Sequence, residues 1–143
     1  MTQIETEIII KANAKEIWSK LTEFNQYPNW NPFIQSITGK QVIGEVLTVK
    51  IVPPNNKPAI FKPVLVKLDD AKELRWVGKL LAGWLFRGEH YFKLVAINDQ
   101  TTKLIHGEIF TGILSEPLLA LIGKNTKAGF ELMNNALNKQ FSK

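Results

Sequence analysis

The chain has 143 residues, of which 45% are hydrophobic and 22% are charged. A chain of this length forms a core large enough to be stable without disulfides or metal ions, so we predict a single domain over residues 1–143. The sequence contains no cysteine and only two histidines, which excludes disulfide frameworks, thiol nucleophiles and cysteine-ligated metal sites.

The 18 Lys and Arg residues outnumber the 13 Asp and Glu residues, for a net charge of +5. Nearly all of these cations are lysines scattered along the chain, which is typical of a soluble surface, so we expect no nucleic acid partner. The first residues are polar and acidic, unlike a signal peptide, and the most apolar stretch, residues 117–123, is too short to span a bilayer. We therefore expect a cytoplasmic protein.

The first part of the chain predicts one strand followed by two short helices. Residues 3–11 have the isoleucine-rich pattern of a strand. Asn13, with Glu16 three residues later, forms a capping-box pattern, and apolar residues continue from there at helical spacing. This predicts a helix over residues 14–21. A second helical turn is expected at residues 24–27, because a proline follows it.

Period-two patterns then predict strands, and a long helix closes the chain. The strands are expected at residues 33–38, 45–52, 59–68, 72–78, 86–97 and 102–114. Short links between successive strands favour an antiparallel meander, with the proline-rich segment 53–58 as one hairpin connection. Apolar residues at three- and four-residue steps predict an amphipathic helix over residues 116–140.

These elements predict an α+β fold in which a seven-stranded antiparallel sheet covers the long C-terminal helix. The sheet has one apolar face to bury, and only the long helix is large enough to cover it. Side chains cannot always fill the space between a strongly curved sheet and one helix. We therefore expect an interior cavity between sheet and helix that holds a hydrophobic small molecule.

Six segments of the sequence resemble, in the same order, the START-like helix-grip superfamily (SRPBCC), and specifically its polyketide cyclase/dehydrase-type branch. They are residues 10–18 (IKANAKEIW), 27–32 (YPNWNP), 74–78 (LRWVG), 88–92 (GEHYF), 102–112 (TKLIHGEIFTG) and 130–137 (FELMNNAL). The resemblance implies the helix-grip fold and a hydrophobic ligand such as a lipid, a quinone or a polyketide. The superfamily includes carriers and receptors as well as aromatase/cyclases, so it leaves open whether a reaction is catalysed.

Two histidines and one glutamate are the candidate catalytic residues. Alternation on strand 86–97 places His90 on the more apolar face, which we expect to point inward. On strand 102–114, periodicity alone favours the isoleucine face as the buried one, whereas the resemblance places His106 and Glu108 inward. In that case His106, Glu108 and His90 could act as general acid and base, since histidine titrates near neutral pH. They could instead only orient a ligand, or form a core network without chemistry.

The candidate ligand-binding residues are mostly aromatic or apolar, because such side chains line hydrophobic cavities. They are Trp30, Phe61, Trp76, Trp84, His90, Phe92, His106, Glu108, Phe110, Ile122, Phe130 and Met133. Trp30 could form the cavity mouth or equally be core filler between two prolines. Phe61 is expected opposite Trp76 in the meander, and either residue could be cavity wall or ordinary core.

The segment of residues 79–88 (KLLAGWLFRG) is unusually apolar for a hairpin tip, with Leu80, Leu81 and Trp84 close together. It could be a lid packed on the start of the long helix, a tip in transient contact with a membrane, or a contact in a homodimer. No phosphate-binding or dinucleotide-binding motif is present, so we expect no cofactor.

Three functions therefore stay open: a carrier or sensor of a hydrophobic small molecule, a cyclase/dehydrase-like enzyme, and a macromolecular binding module. The cavity-forming architecture favours the first. The His/Glu set is the support for the second, and the scattered lysines make the third the weakest.

Overall fold

The computed structural model describes residues 2–79 and 82–142. In chain order its elements are β1 (Thr2–Ile10), α1 (Ala14–Thr22), a 3-10 turn (Phe24–Gln26), α2 (Tyr27–Trp30), β2 (Ile34–Thr38), β3 (Thr48–Ile51), β4 (Ala59–Phe61), β5 (Val64–Asp69), β6 (Glu73–Lys79), β7 (Arg87–Asn98), β8 (Thr101–Thr111) and α3 (Ser115–Lys139). This order confirms the predicted strand, two short helices, run of strands and long final helix.

The strands form two antiparallel sheets. One has the order β1-β8-β7-β6-β5 and the other the order β2-β3-β4. Consecutive strands pair from β2 to β4 and from β5 to β8, as expected for a meander, whereas β1 pairs with the last strand, β8. Helix α3 packs against β1 and β8. The α+β fold is thus confirmed, whereas the expected single sheet of seven strands is wrong, because residues 2–79 and 82–142 form eight strands in two sheets.

The extra strand arises where the predicted strand 59–68 is broken. Pro63 has no N–H to donate to a strand ladder, and the chain leaves one sheet and enters the other around it. The Pro63 carbonyl instead accepts a hydrogen bond from the Leu47 N–H at 2.8 Å, and the Leu65 N–H donates to the Glu45 carbonyl at 2.9 Å. The segment before β3 therefore joins the two sheets.

Helix α1 begins with the predicted cap. The Asn13 Oδ1 accepts a hydrogen bond from the Glu16 N–H at 2.9 Å, and the Asn13 Nδ2 donates to the Glu16 Oε1 at 3.0 Å. This reciprocal pair satisfies one of the free N–H groups of the first turn. The opposite face of α1 buries Ile17, Trp18 and Leu21 in the core.

Helix α3 has two halves with different packing. Its second half supplies the buried residues Gly129, Phe130, Met133, Asn134 and Leu137. The Phe33 ring lies directly on Gly129, where any side chain would collide with it, and it also contacts the Phe130 ring at 5.6 Å. Among the described residues, no helix is both long and apolar enough to cross a bilayer.

The first half of α3 lies more loosely on the sheet. No residue between 116 and 128 is fully buried, although Leu118, Leu119 and Ile122 are apolar. This half crosses the sheet near β1, since a Cβ atom at Gly123 would lie 4.0 Å from the Ile4 Cδ1. The first half of α3 therefore leaves half-covered apolar surface above the sheet.

Candidate functional site

The pairing register places the candidate side chains in rows across the inner face of the five-stranded sheet. The central row consists of Ile4, Glu108, His90, Trp76 and Leu65. The row towards the second half of α3 consists of Thr6, His106, Phe92 and Leu74. The row on the opposite side consists of Thr2, Phe110, Gly88 and Gly78.

Strand β8 turns the histidine face inward. His106 and Phe110 are buried, whereas Ile105 and Ile109 are only half-buried on the outer face. The expectation from periodicity, a buried isoleucine face, is therefore wrong, and the face implied by the resemblance is the inner one. Because β8 is an interior strand, side chains of its neighbours partly cover the isoleucines; Lys93 of β7, for example, lies opposite Ile105.

His106 lies at the centre of a buried hydrogen-bond network. Its Nε2 is 2.8 Å from the His90 Nε2, and its Nδ1 is 2.9 Å from the Asn134 Oδ1. The Asn134 Nδ2 donates to the Thr6 Oγ1 at 2.8 Å, and the Thr6 hydroxyl donates to the His106 carbonyl at 2.9 Å. Strands β1, β7 and β8 and helix α3 thus all contribute to the position of one imidazole.

The His106 ring is neutral at physiological pH. Burial lowers the pKa of His106 well below its usual value, and the nearby His90 lowers it further. Hydrogen bonds to Asn134 and to the backbone of Phe130 act in the opposite direction and are outweighed. His106 is completely inaccessible to solvent, so it has no direct contact with a ligand in this arrangement.

Glu108 lies at the outer end of the network. Its Oε1 is 3.4 Å from the His90 Nδ1, and its side chain is 20% exposed while that of His90 is 3% exposed. The carboxylate lies against the backbone of Gly88, where any side chain would collide with it. Glu108 is therefore the member of the set that a ligand can reach, and the glycine makes room for it.

The space between the sheet and the second half of α3 is filled with aromatic rings. His106 stacks on Phe130 with ring centroids 4.2 Å apart, and Phe92 lies 4.4 Å from His106. Trp76 stacks on His90 at 5.1 Å, and Met133 is completely buried in the same core. The expectation of an interior cavity at this level is wrong, because these side chains occupy it.

Two pockets among the described residues lie at the surface, away from this cluster. One, of about 530 Å³, is a polar depression lined by Lys11, Ala12, Asn13, Glu16, Asp99, Gln100 and Thr101. The other, of about 380 Å³, is lined by Ile9, Lys11, Asn138, Phe141 and Ser142. Neither contains a predicted site residue.

Two predicted wall residues lie outside the cluster. Phe61 is half exposed on β4 and pairs with Val49 in the smaller sheet, so Leu65 and not Phe61 lies opposite Trp76. This is a consequence of the strand break at Pro63. Trp84 is 67% exposed, so it is not part of the buried cluster.

The remaining predicted residues lie around the cluster. Trp30 is half-buried and contacts the Tyr27 ring at 5.2 Å, and its indole nitrogen is buried with no hydrogen-bond partner among the described residues. Phe110 is buried and lies 5.6 Å from the Phe86 ring. Ile122 is half-buried on the first half of α3. Leu80 and Leu81, named above in the possible lid, lie outside the described residues.

Sequence reasoning did not include Thr6 and Asn134 in the site. Thr6 interrupts the inward-facing isoleucines of β1, and Asn134 interrupts the apolar stripe of α3. The sequence did contain a signal for both residues, since each is polar at a position that the pattern assigns to the core. A buried polar side chain needs a hydrogen-bond partner, so such positions indicate a buried network.

A family model matches this chain over nearly its whole length and so identifies its family. The model of the family described as "Polyketide cyclase / dehydrase and lipid transport" matches residues 1–140. The chain is a member of this family. No protein with a curated description is significantly similar in sequence.

Solved structures share the fold at low sequence identity. The aromatase/cyclase Zhui from a Streptomyces species is 14% identical, with a TM-score of 0.72 over 97% of this chain and 92% of that one. A START superfamily protein from Mycobacterium smegmatis is 16% identical, with a TM-score of 0.71 over 97% and 96%. The di-domain aromatase/cyclase BexL is 13% identical with a TM-score of 0.73, and this chain spans only 46% of its length.

Proposed function

We propose that the protein binds a hydrophobic small molecule between the first half of α3 and the glycine-containing end of the large sheet, with the polar group of the ligand facing Glu108. The observation that carries this proposal is the half-covered apolar surface of α3 at the level of Ile4 and Glu108. Burying apolar surface of this kind against a ligand is favourable by roughly 25 cal/mol per Å².

The floor of the proposed site is open at Gly78, whereas the Glu108 carboxylate covers Gly88. Gly78 and Gly88 are neighbours on β6 and β7, in the row next to the one that contains Glu108. The nearest atom to a Cβ built on Gly78 is the Pro63 Cβ at 3.9 Å, which is ordinary contact. A small molecule could therefore lie flat against this end of the sheet, beside the Phe110 ring.

Residues 82–86 form the proposed lid. The Trp84 carbonyl accepts a hydrogen bond from the Ile113 N–H at 3.1 Å, and the Leu85 carbonyl accepts one from the Leu114 N–H at 2.9 Å. Both bonds attach this loop to the turn between β8 and α3. Gly112 permits the close approach with a φ of 105°, a conformation that favours glycine. These contacts favour the lid over the membrane and dimer alternatives.

The family description and the similar structures support a ligand-binding role. The description names lipid transport together with cyclase/dehydrase activity. Two of the similar structures are named aromatase/cyclases. Binding is the more economical proposal for this chain, since His106 is sealed from solvent and Glu108 is the member of the set that reaches the proposed site.

Cyclase/dehydrase-like catalysis is the second candidate, and the pairing of Glu108 with His90 favours it. A carboxyl group that contacts an imidazole at 3.4 Å can exchange a proton with it and with a ligand. If the protein is an enzyme, Glu108→Gln should abolish turnover and preserve binding of a neutral ligand. Equal turnover in Glu108→Gln and the wild type would exclude this role.

Thermal-shift measurements with three probes test the binding proposal: palmitate, menadione and emodin, which represent a fatty acid, a quinone and an aromatic polyketide. A probe at 100 times its Kd stabilises the folded state by about 2.7 kcal/mol, which raises Tm by roughly 5 to 10 °C. Gly78→Leu should abolish the shift, because the leucine occupies the floor of the site. Val95→Leu, on the exposed part of β7, is the matched control. The proposal is wrong if no probe stabilises the wild type or if Gly78→Leu responds like Val95→Leu.

A further inference from the structure

The hydrogen bonds around His106 have a definite direction. The His106 carbonyl can only accept, so the single proton of the Thr6 hydroxyl points towards it. The Thr6 oxygen then accepts from the Asn134 Nδ2. This orientation turns the Asn134 Oδ1, which can only accept, towards the His106 Nδ1 at 2.9 Å. The His106 Nδ1 must therefore carry a hydrogen.

The same order of donors and acceptors extends to the second histidine, His90. Because His106 is buried and neutral, it carries one ring hydrogen, on Nδ1, and its Nε2 accepts. The donor to that nitrogen is the His90 Nε2–H, 2.8 Å away. If His90 is neutral as well, its Nδ1 presents a lone pair to the Glu108 Oε1 at 3.4 Å. Two acceptors would then face each other unless a proton lies between them.

We propose that Asn134 and Thr6 are positioning residues that fix the His106 tautomer, so that His90 and Glu108 hold one shared proton at the edge of the ligand site. The proton resides on the Glu108 carboxyl or on the His90 Nδ1, and in both cases the pair has no net charge. A ligand at this edge of the site therefore meets a carboxyl–imidazole pair without net charge instead of a free carboxylate.

Among the described residues, the inner-face neighbours of His90 and Glu108 carry no charge that would favour one position of the proton over the other. In the described part of the inner face, β1 contributes Ile4 and Thr6 next to it, β6 contributes Trp76, and α3 contributes Phe130 and Asn134. None of these side chains is ionised. The direction of the hydrogen bonds therefore determines that a proton lies between His90 and Glu108. The consequence for ligands rests on the function proposed above.

Nitrogen NMR of the histidine rings tests this inference on the full-length protein without a ligand. The chain has only two histidines, so two rings appear in a long-range ¹H–¹⁵N correlation spectrum, and a His90→Gln variant assigns them. We expect His106 to be protonated at Nδ1 only, and His90 to be protonated at Nε2. A His106 ring protonated at Nε2 would reverse the direction of the hydrogen bonds between the two histidines. His90 would then donate from Nδ1 to an ordinary Glu108 carboxylate, which would overturn the inference.

Two matched variants separate positioning from folding. Thr6→Val keeps the shape of the side chain and removes the hydroxyl, so the Asn134 amide is no longer held and His106 should show a mixture of tautomers. Thr6→Ser keeps the hydroxyl and should preserve the single Nδ1–H form. Equal spectra for the folded Val and Ser variants would refute the role of Thr6. If Thr6→Val does not fold, the wild-type spectrum alone decides. Loss of probe binding with the expected tautomers would reject the binding site and leave this inference intact.

Discussion

Lowering the pH should destabilise the protein through His106. The unfolded chain takes up a proton on this residue near its usual pKa of 6.5, whereas burial lowers the pKa of the folded state well below that value. The folded state therefore binds fewer protons, and stability that is present above about pH 6.5 is lost as the pH falls. For one proton, the loss between about pH 7.5 and about pH 5.5 amounts to about 1.4 kcal/mol.

Urea denaturation at the two pH values measures this loss as a difference in the free energy of unfolding. The matched variant is His106→Gln, which lacks the titrating group and should lose about 1.4 kcal/mol less than the wild type over the same interval. The reasoning is refuted if both proteins lose the same amount, or if acidification stabilises the wild type more than the variant.

Three further substitutions test the packing. Gly129→Ala should destabilise the protein by about 1 to 3 kcal/mol, because the new methyl group collides with the Phe33 ring, although alanine has the better helix propensity. In thermal melts, Phe33→Leu should therefore lower Tm less in the Gly129→Ala background than in the wild type. Asn13→Ala removes the cap of α1 and should cost about 1 kcal/mol in urea titrations. Tyr91→Phe removes the hydroxyl that donates to the Glu5 carboxylate at 2.5 Å and should cost about 1 to 2 kcal/mol, and an unchanged melting temperature would contradict that bond.

The helices were predictable because their signals are local. The capping pair at Asn13 and the spacing of apolar residues give α1 and α3 to within one residue of their observed bounds. The break between β4 and β5 was missed, since the alternation of apolar residues continues through Pro63. That single break moved Phe61 to the smaller sheet and changed the strand count.

The candidate site was only partly predictable, because its contacts join residues far apart in the sequence. His90 and Glu108 could be placed together once β7 and β8 were recognised as neighbours. The contact of His106 with Asn134 spans 28 residues, and that of Thr6 with His106 spans 100, so no local pattern indicates either one. The aromatic filling around His106 was missed for the same reason, since the position of Phe130 depends on how α3 crosses the sheet.

Methyl NMR during a titration tests the location of the ligand most directly. The protein is labelled at isoleucine and leucine methyl groups, and whichever of palmitate, menadione and emodin gives the largest thermal shift is added. We expect the methyl signals of Ile4, Leu118 and Ile122 to shift with the ligand, and those of Ile9 and Ile60, on other surfaces, to stay in place. Shifts confined to Ile9 or Ile60, with Leu118 and Ile122 unchanged, would contradict a site beneath the first half of α3.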